Sequence, residues 1–130
     1  MNRRAFIRGA LVLLPAAAMA AKPAPTATPR RLVMNRFHVA GFQFHAGLRS
    51  VAELRAGVVL RLAAEPDNPY DHCTVGIFDG DRKLGYIPRT ENKHVSRLLR
   101  QGAPVECRVL EVRPEDETWR MVKVETAILA

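Results

Sequence analysis

Short runs of alternating apolar and polar residues dominate the second half of the chain and predict a mainly β protein. Val105, Cys107 and Val109 are separated by single residues, which is the period of a strand with one buried face. Prolines, glycines and acidic residues separate these runs, as is typical of turns. The predicted strands cover residues 37–44, 58–64, 73–78, 83–87, 105–112 and 119–129. Five or six short strands without a βαβ rhythm favour a small β-barrel.

One longer stretch has the period of a helix. Within residues 90–100, Val95, Leu98 and Leu99 form an apolar stripe, with Thr90 expected to cap the first turn. A short helical turn is predicted over residues 50–55. The helix is therefore an insertion in the second half of a β domain.

Residues 1–20 have the three regions of an export signal. Arg3 and Arg4 open the chain, an 11-residue apolar run covers 9–19, and small residues follow. This run is too short to span a bilayer as a helix, which takes ~20 residues. The alternative is an uncleaved N-terminal anchor. The arginine pair followed by Phe6 resembles the twin-arginine signal of bacteria, so we expect a periplasmic or extracellular protein without a membrane span in its mature form.

The next segment, residues 21–35, is rich in Pro, Ala and Thr and is predicted to be a disordered or extended tether. A single domain is then predicted over residues 36–130. The formal charge of +7 falls mostly outside this domain, because the leader and the tether hold six of the 20 basic residues and no acid. The domain itself has 14 Lys and Arg against 13 Asp and Glu, so net charge does not indicate a partner.

Charge is less even locally, since residues 82–100 are basic apart from Glu91. Two interpretations remain open: a solvated helix face, or contacts of Arg89 and Lys93 with an anionic partner.

The segment 65–71 reads Glu-Pro-Asp-Asn-Pro-Tyr-Asp and differs from an ordinary loop. Its two prolines restrict their own φ angles and disfavour helical backbone in the residues before them. A loop held so stiffly could present Asn68, Tyr70 and Asp71 to a ligand at little entropic cost. The alternative is a rigid corner whose Asp and Asn only cap their own backbone.

This segment, the motif Leu-Gly-Tyr-Ile-Pro-Arg at 84–89, and Val-Ala-Gly at 39–41 together resemble the HIRAN domain. The resemblance covers roughly residues 36–129. It implies an OB-like barrel, and in helicase-linked members a domain that binds the 3′-hydroxyl end of single-stranded DNA. Asn68, Tyr70 and Asp71 would then form the pocket for that end, with Tyr86 and Arg89 near a backbone phosphate.

The chain departs from the DNA-binding members in its first strand. Those members carry an arginine and two tyrosines where this chain has Gln43, Phe44 and His45. Phe44 keeps a ring on which a base can stack, but Gln43 supplies no charge for a phosphate, so we expect weaker binding. The candidate binding residues are Gln43, Phe44, His45, Asn68, Tyr70, Asp71, Tyr86, Arg89 and Lys93.

One aromatic residue and two cysteines also have open interpretations. Trp119 is expected to be a half-buried core residue, with a place beside the binding groove as the alternative. Cys73 and Cys107 either form a disulfide worth roughly 3–4 kcal/mol or remain buried thiols.

The residues favour a binding module over an enzyme. No Gly-x-x-x-x-Gly-Lys phosphate loop occurs, and the four histidines and two cysteines lack the spacing of a zinc site. The oxygen ligands in 65–71 do not follow a calcium loop either, so we expect no cofactor. We therefore expect a monomeric, non-catalytic module that binds single-stranded nucleic acid or its 3′ end. The alternative is an exported module that binds a glycan or an envelope protein.

Overall fold

A computed structural model describes residues 28–45 and 50–130 of the protein, so the predicted leader and residues 21–27 of the predicted tether lie outside the described residues. In this part of the chain the strands are β1 (Arg31–His38), β2 (Val59–Ala64), β3 (Val75–Asp79), β4 (Arg82–Tyr86), β5 (Val105–Val112) and β6 (Val122–Leu129), and the helix is α1 (Asn92–Arg100). Two 3₁₀ turns, Phe42–Phe44 and Thr118–Arg120, follow β1 and precede β6. The predicted mainly β fold with one inserted helix is confirmed.

The six strands form one antiparallel sheet in the order β1-β6-β5-β2-β3-β4. Among the described residues, strand pairing does not close the sheet into a complete barrel. Its two ends meet instead through an isolated bridge, in which Ala40, just beyond β1, exchanges two 2.8 Å backbone hydrogen bonds with Tyr86 at the end of β4. The curved sheet wraps one hydrophobic core that includes Phe42, Ile77, Leu84 and Val95, all fully buried.

The first predicted strand is wrong in its position. Residues 37–44 were expected to be extended, but β1 begins at Arg31 and ends at His38. Gly41 then adopts a left-handed backbone with φ of 70°, and the chain turns so that Phe42 enters the core. Pairing along β6 provides the backbone hydrogen bonds of β1, so this strand forms without a clear apolar alternation.

Other boundaries differ by smaller amounts. The third strand begins at Val75, because residues 72 and 73 form a turn, and α1 begins at Asn92 with Glu91 rather than Thr90 at its N-cap position. The helical turn predicted at residues 50–55 is confirmed, since the Ser50 carbonyl accepts the N–H groups of Glu53 and Leu54.

The prediction that Trp119 belongs to the core is wrong. The last strand begins three residues later, at Val122, and Trp119 lies in the preceding 3₁₀ turn with 58% of its surface exposed. Its indole Nε1 donates a 2.6 Å hydrogen bond to the Glu117 carboxylate, which satisfies the polar group on the protein surface.

Candidate functional site

A cavity of about 320 Å³ opens where the 65–71 loop, the end of β4 and the start of α1 meet. The three sequence motifs described above, at residues 39–41, 65–71 and 84–89, all contribute to its walls. The lining residues are Ala40, Asn68, Tyr70, Asp71, Thr74, Tyr86, Ile87, Pro88, Arg89 and Asn92. We refer to this cavity as the end pocket.

Asn68 holds the shape of the loop beside the end pocket. Its Oδ1 atom accepts the backbone N–H groups of Tyr70 at 2.9 Å and of Asp71 at 3.2 Å. This is the local capping that Asn residues provide in turns. Tyr70, which this capping holds in the turn, is 87% exposed. Asn68 therefore shapes the site through the backbone, and Tyr70 offers an open aromatic face.

Asp71 lies on the wall of the end pocket with both carboxylate oxygens engaged. Oδ1 accepts the backbone N–H of Cys73, and Oδ2 accepts the Nδ2 group of Asn92, each at 2.9 Å. The Arg89 Nε atom lies 3.6 Å from Oδ2. The Asn92 and Cys73 hydrogen bonds lower the pKa of Asp71 against the opposing effect of burial, and Arg89 adds to the lowering. The side chain is therefore a carboxylate at neutral pH, and its unused lone pairs can still accept a donor.

Arg89 provides positive charge at the mouth of the end pocket. Its side chain is 78% exposed, and its Nη2 group lies 3.5 Å from the carbonyl oxygen of Tyr70. The guanidinium thus stays over the loop while most of its donors remain available to an anionic group.

Gly85 permits the backbone approach that forms one side of the end pocket. A Cβ atom at this position would lie 2.3 Å from the Ala40 carbonyl oxygen and 2.7 Å from a methyl of Val39. Only glycine leaves room for the chain after β1 to lie on β4 at this distance. The bridge between Ala40 and Tyr86 depends on this contact.

Tyr86 is fixed by charged and aromatic neighbours. The Lys83 Nζ atom lies 4.2 Å from the centre of the Tyr86 ring and 2.9 Å from its hydroxyl oxygen. Lys83 is held in turn by a 2.8 Å ion pair with Glu65, the first residue of the loop. Burial works against the ammonium form of Lys83, but the hydrogen bonds to Glu65 and Tyr86 outweigh it and raise the pKa of Lys83. His45 meets the Tyr86 ring edge-on, with ring centres 5.2 Å apart.

The HIRAN domain family model matches residues 32–126, which is most of the chain. The chain belongs to the HIRAN family. Solved structures agree on the fold. A crystal structure of a protein from Lactobacillus plantarum has a TM-score of 0.67 at 22% identity, covering 77% of this chain and 96% of that one. The HIRAN domain of human HLTF has a TM-score of 0.59 at 15% identity, covering 75% and 78%. No curated protein sequence matches the chain.

The HIRAN fold brings five of the predicted site residues together in the end pocket: Asn68, Tyr70, Asp71, Tyr86 and Arg89. The other four lie outside its lining. His45 contacts the pocket residue Tyr86, and burial, with Lys83 nearby, lowers the pKa of His45. Gln43 and Phe44 are exposed on the 3₁₀ turn after β1, and Lys93 is exposed on α1 beside the pocket residue Asn92.

Three residues that contribute to this HIRAN site were missing from the sequence prediction. Asn92 is 3% exposed and donates to Asp71, Thr74 donates its hydroxyl to the Asp71 carbonyl at 2.6 Å, and Lys83 holds Tyr86. Asn92 carried one usable signal, because a polar residue in the first turn of a helix often serves a local hydrogen bond. Its partner, however, lies 21 residues earlier in the chain.

Neither a disulfide nor a metal cluster occurs among the described residues. Cys73 and Cys107 are both free thiols, so the bridge that the sequence left open is not formed. Cys107 is fully buried, and burial raises its pKa to about 12, whereas Cys73 is partly exposed ahead of β3. Across residues 28–45 and 50–130, no group of His, Cys, Asp and Glu is arranged to hold a metal ion, and no helix is long and apolar enough to cross a membrane.

Proposed function

We propose that this protein is a non-catalytic module that binds single-stranded nucleic acid and accepts a 3′-hydroxyl end in the end pocket. The observation that carries the proposal is the ionised Asp71 carboxylate on the pocket wall, oriented by Asn92 and the Cys73 amide. A carboxylate accepts a hydrogen bond from a hydroxyl group and repels a phosphate. Membership of the HIRAN family, with the DNA-end binding that the resemblance implies, supports the same assignment.

The surroundings of the pocket suit a terminal nucleotide. Tyr70 presents an exposed ring on which a base can stack, an interaction worth about 1–3 kcal/mol per base. Arg89 lines the pocket with a largely exposed guanidinium, which would pair with the phosphate that precedes a terminal sugar. With Gln43 in place of the family's arginine, Arg89 carries more of the phosphate contact, and we expect modest affinity with strong salt dependence.

Fluorescence anisotropy at low salt, with oligonucleotides that end in a 3′-hydroxyl or a 3′-phosphate, tests the proposal. The wild type should prefer the hydroxyl end. Asp71→Asn keeps an oxygen for the Cys73 amide but removes the charge, so the preference should shrink. Asp81→Asn is the matched control, because it removes the same charge from the exposed turn between β3 and β4. Tyr70→Ala should weaken binding of both ends, while Tyr70→Phe should not.

Three outcomes contradict parts of the proposal. If the wild type binds neither oligonucleotide, the nucleic-acid function is wrong. If it binds both ends equally, the module binds nucleic acid but Asp71 does not discriminate between a 3′-hydroxyl and a 3′-phosphate. A complex with a glycan or an envelope protein whose affinity is insensitive to salt would favour the alternative partner instead.

A further inference from the structure

The outer face of strands β2, β3 and β4 carries a regular row of cationic and aromatic side chains. Arg61 pairs directly with Phe78, and Phe78 pairs with Lys83, so the three side chains project from the same face of adjacent strands. The opposite face carries residues such as Ile77 and Leu84, which are fully buried in the core. The row therefore lies on the surface of the sheet.

These side chains stack on one another. The Arg61 guanidinium carbon lies 4.3 Å from the centre of the Phe78 ring. Lys83 Nζ lies 5.7 Å from the Phe78 ring and 4.2 Å from the Tyr86 ring. We call Arg61, Phe78, Lys83 and Tyr86 the cation–aromatic row. Cation and ring alternate along it at distances typical of favourable cation–π contacts.

The two cations of the row differ in their charge balance. Lys83 is neutralised by the Glu65 carboxylate at 2.8 Å. Arg61 is exposed, and within the described part of the chain it forms no ion pair; its Nη2 atom lies 3.3 Å from the Gly80 carbonyl oxygen. Arg61 thus adds an unpaired positive charge at the far end of the row, with its guanidinium over the Phe78 ring.

The row continues directly from the end pocket, because Tyr86 belongs to both. From Tyr86 it continues through Lys83 on β4 and Phe78 on β3 to Arg61 on β2. A strand whose terminal hydroxyl lies at Asp71 would have its preceding nucleotides near Tyr86. Phe78 and Tyr86 are partly exposed and Arg61 is exposed. Aromatic rings and guanidinium groups bind successive bases by stacking, and an unpaired arginine neutralises a phosphate whatever the base sequence.

We propose that the cation–aromatic row binds the nucleotides that precede the end held in the pocket, with Phe78 and Arg61 as its outer contacts. This inference rests on the proposed function and extends it, because it names a path for the strand across the sheet. The partner is a single strand of nucleic acid longer than the pocket alone can hold.

Binding of a three-nucleotide and a nine-nucleotide strand, both with 3′-hydroxyl ends, tests the row. The wild type should bind the longer strand more tightly. Arg61→Gln should weaken the longer strand by about fivefold or more and lower its log–log salt slope by about 0.7, the contribution of one phosphate on a single strand. Phe78→Leu should weaken it similarly with a smaller change in slope. Neither variant should alter binding of the short strand.

Arg97→Gln is the matched control, because it removes the same charge from an exposed position on α1. Arginine and glutamine have similar helix propensities, so the helix should be retained. Circular dichroism melts establish that each variant is folded. If Arg61→Gln and Phe78→Leu bind the longer strand as tightly as the wild type does, the proposal for the row is wrong, while the proposal for the end pocket stands. Equal binding of both strands by the wild type would do the same. If the wild type binds neither strand, the row and the proposed function fail together.

Discussion

Asn92, the first residue of α1, places its Nδ2 atom 2.9 Å from the Oδ2 atom of Asp71 in the 65–71 loop. The helix therefore begins with a donor that is buried against the carboxylate of the end pocket. This single hydrogen bond connects the inserted helix to the loop, and it is the largest cause of the lowered pKa of Asp71.

Replacing Asn92 with Ala should raise the pKa of Asp71. A carboxyl group whose pKa is lowered by folding contributes stability above its unfolded pKa of about 3.9, and this contribution is lost as the pH falls through the folded pKa. Binding of the 3′-hydroxyl end should also be lost as the pH falls through the pKa of Asp71. In Asn92→Ala this loss should occur at higher pH. Carboxyl NMR titration measures the pKa directly. His94→Ala, on the same helix, is the control, and an unchanged Asp71 titration in Asn92→Ala would contradict the assignment.

Replacing Gly85 with Ala should open the junction between the two ends of the sheet. The new Cβ would meet the Ala40 carbonyl oxygen, so the segment after β1 must move away from β4. We expect a loss of about 1–3 kcal/mol in the free energy of unfolding and faster hydrogen exchange at the Tyr86 amide, which donates to Ala40.

The control for this substitution is Gly57→Ala. Gly57 has a φ of 94°, but a Cβ there meets no neighbouring atom, so the variant tests backbone strain without a clash. It should lose stability while the Tyr86 amide stays protected from local exchange. If the Tyr86 amide is equally protected in Gly85→Ala and the wild type, the bridge between Ala40 and Tyr86 does not require glycine at position 85.

Replacing Glu125 with Gln should destabilise the β1–β6 edge. Glu125 is 5% exposed and accepts from Arg31 at 3.0 Å and from Arg36 at 2.8 Å. Its removal leaves Arg36 without a carboxylate partner, whereas Arg31 keeps its 2.6 Å ion pair with Glu106. Because Arg36 is itself half exposed, we expect a loss of roughly 1–2 kcal/mol. Urea denaturation measures this change. Glu111→Gln, which breaks the exposed ion pair with Arg113, should change stability little.

The effect of Glu125→Gln should depend on pH in a defined direction. The hydrogen bond from Arg31 lowers the pKa of Glu125 against the effect of burial, and Arg36 adds to the lowering. The stabilisation is therefore present above pH about 4.3 and is lost as the pH falls through the lower folded pKa. The difference between wild type and variant should shrink in acid, and a difference that grows there would contradict the ion-pair explanation.

The two thiols should differ in reactivity. Cys73 is partly exposed, whereas Cys107 is buried with its pKa raised to about 12, so only Cys73 should react with a thiol reagent in the native protein. Both should react in urea without a reductant. If neither reacts under those denaturing conditions, the two cysteines form a disulfide in the purified protein.

Residues 1–35 should direct export of a fused reporter in bacteria. The arginine pair at Arg3 and Arg4 predicts the twin-arginine route, so replacing both with Lys should stop export of a folded reporter. Cell fractionation with mass spectrometry measures location and cleavage near residue 20. A mature protein that retains residues 1–20 at the membrane would favour the uncleaved anchor instead.

Local sequence patterns determined a large part of this protein. The alternation in residues 105–112, the helical spacing of Val95, Leu98 and Leu99, and the two prolines of the loop each act within a few residues, so strands, helix and stiff loop could be predicted. The motifs around Asn68, Tyr86 and Arg89 also indicated the family and most of the pocket, because side chains in these short segments are presented by local backbone geometry.

Only the tertiary structure decided how these pieces meet. Arg31–His38 became a strand because β6 pairs with it, and no local apolar alternation could indicate that partner. Asn92 reaches Asp71, Lys83 reaches Glu65, and Gly85 admits Ala40, each through contacts between separate segments. Trp119 stays at the surface because its turn ends before the last strand begins. The sequence by itself determined the elements and the loop that carries Asp71, whereas packing between distant segments decided which side chains surround that carboxylate.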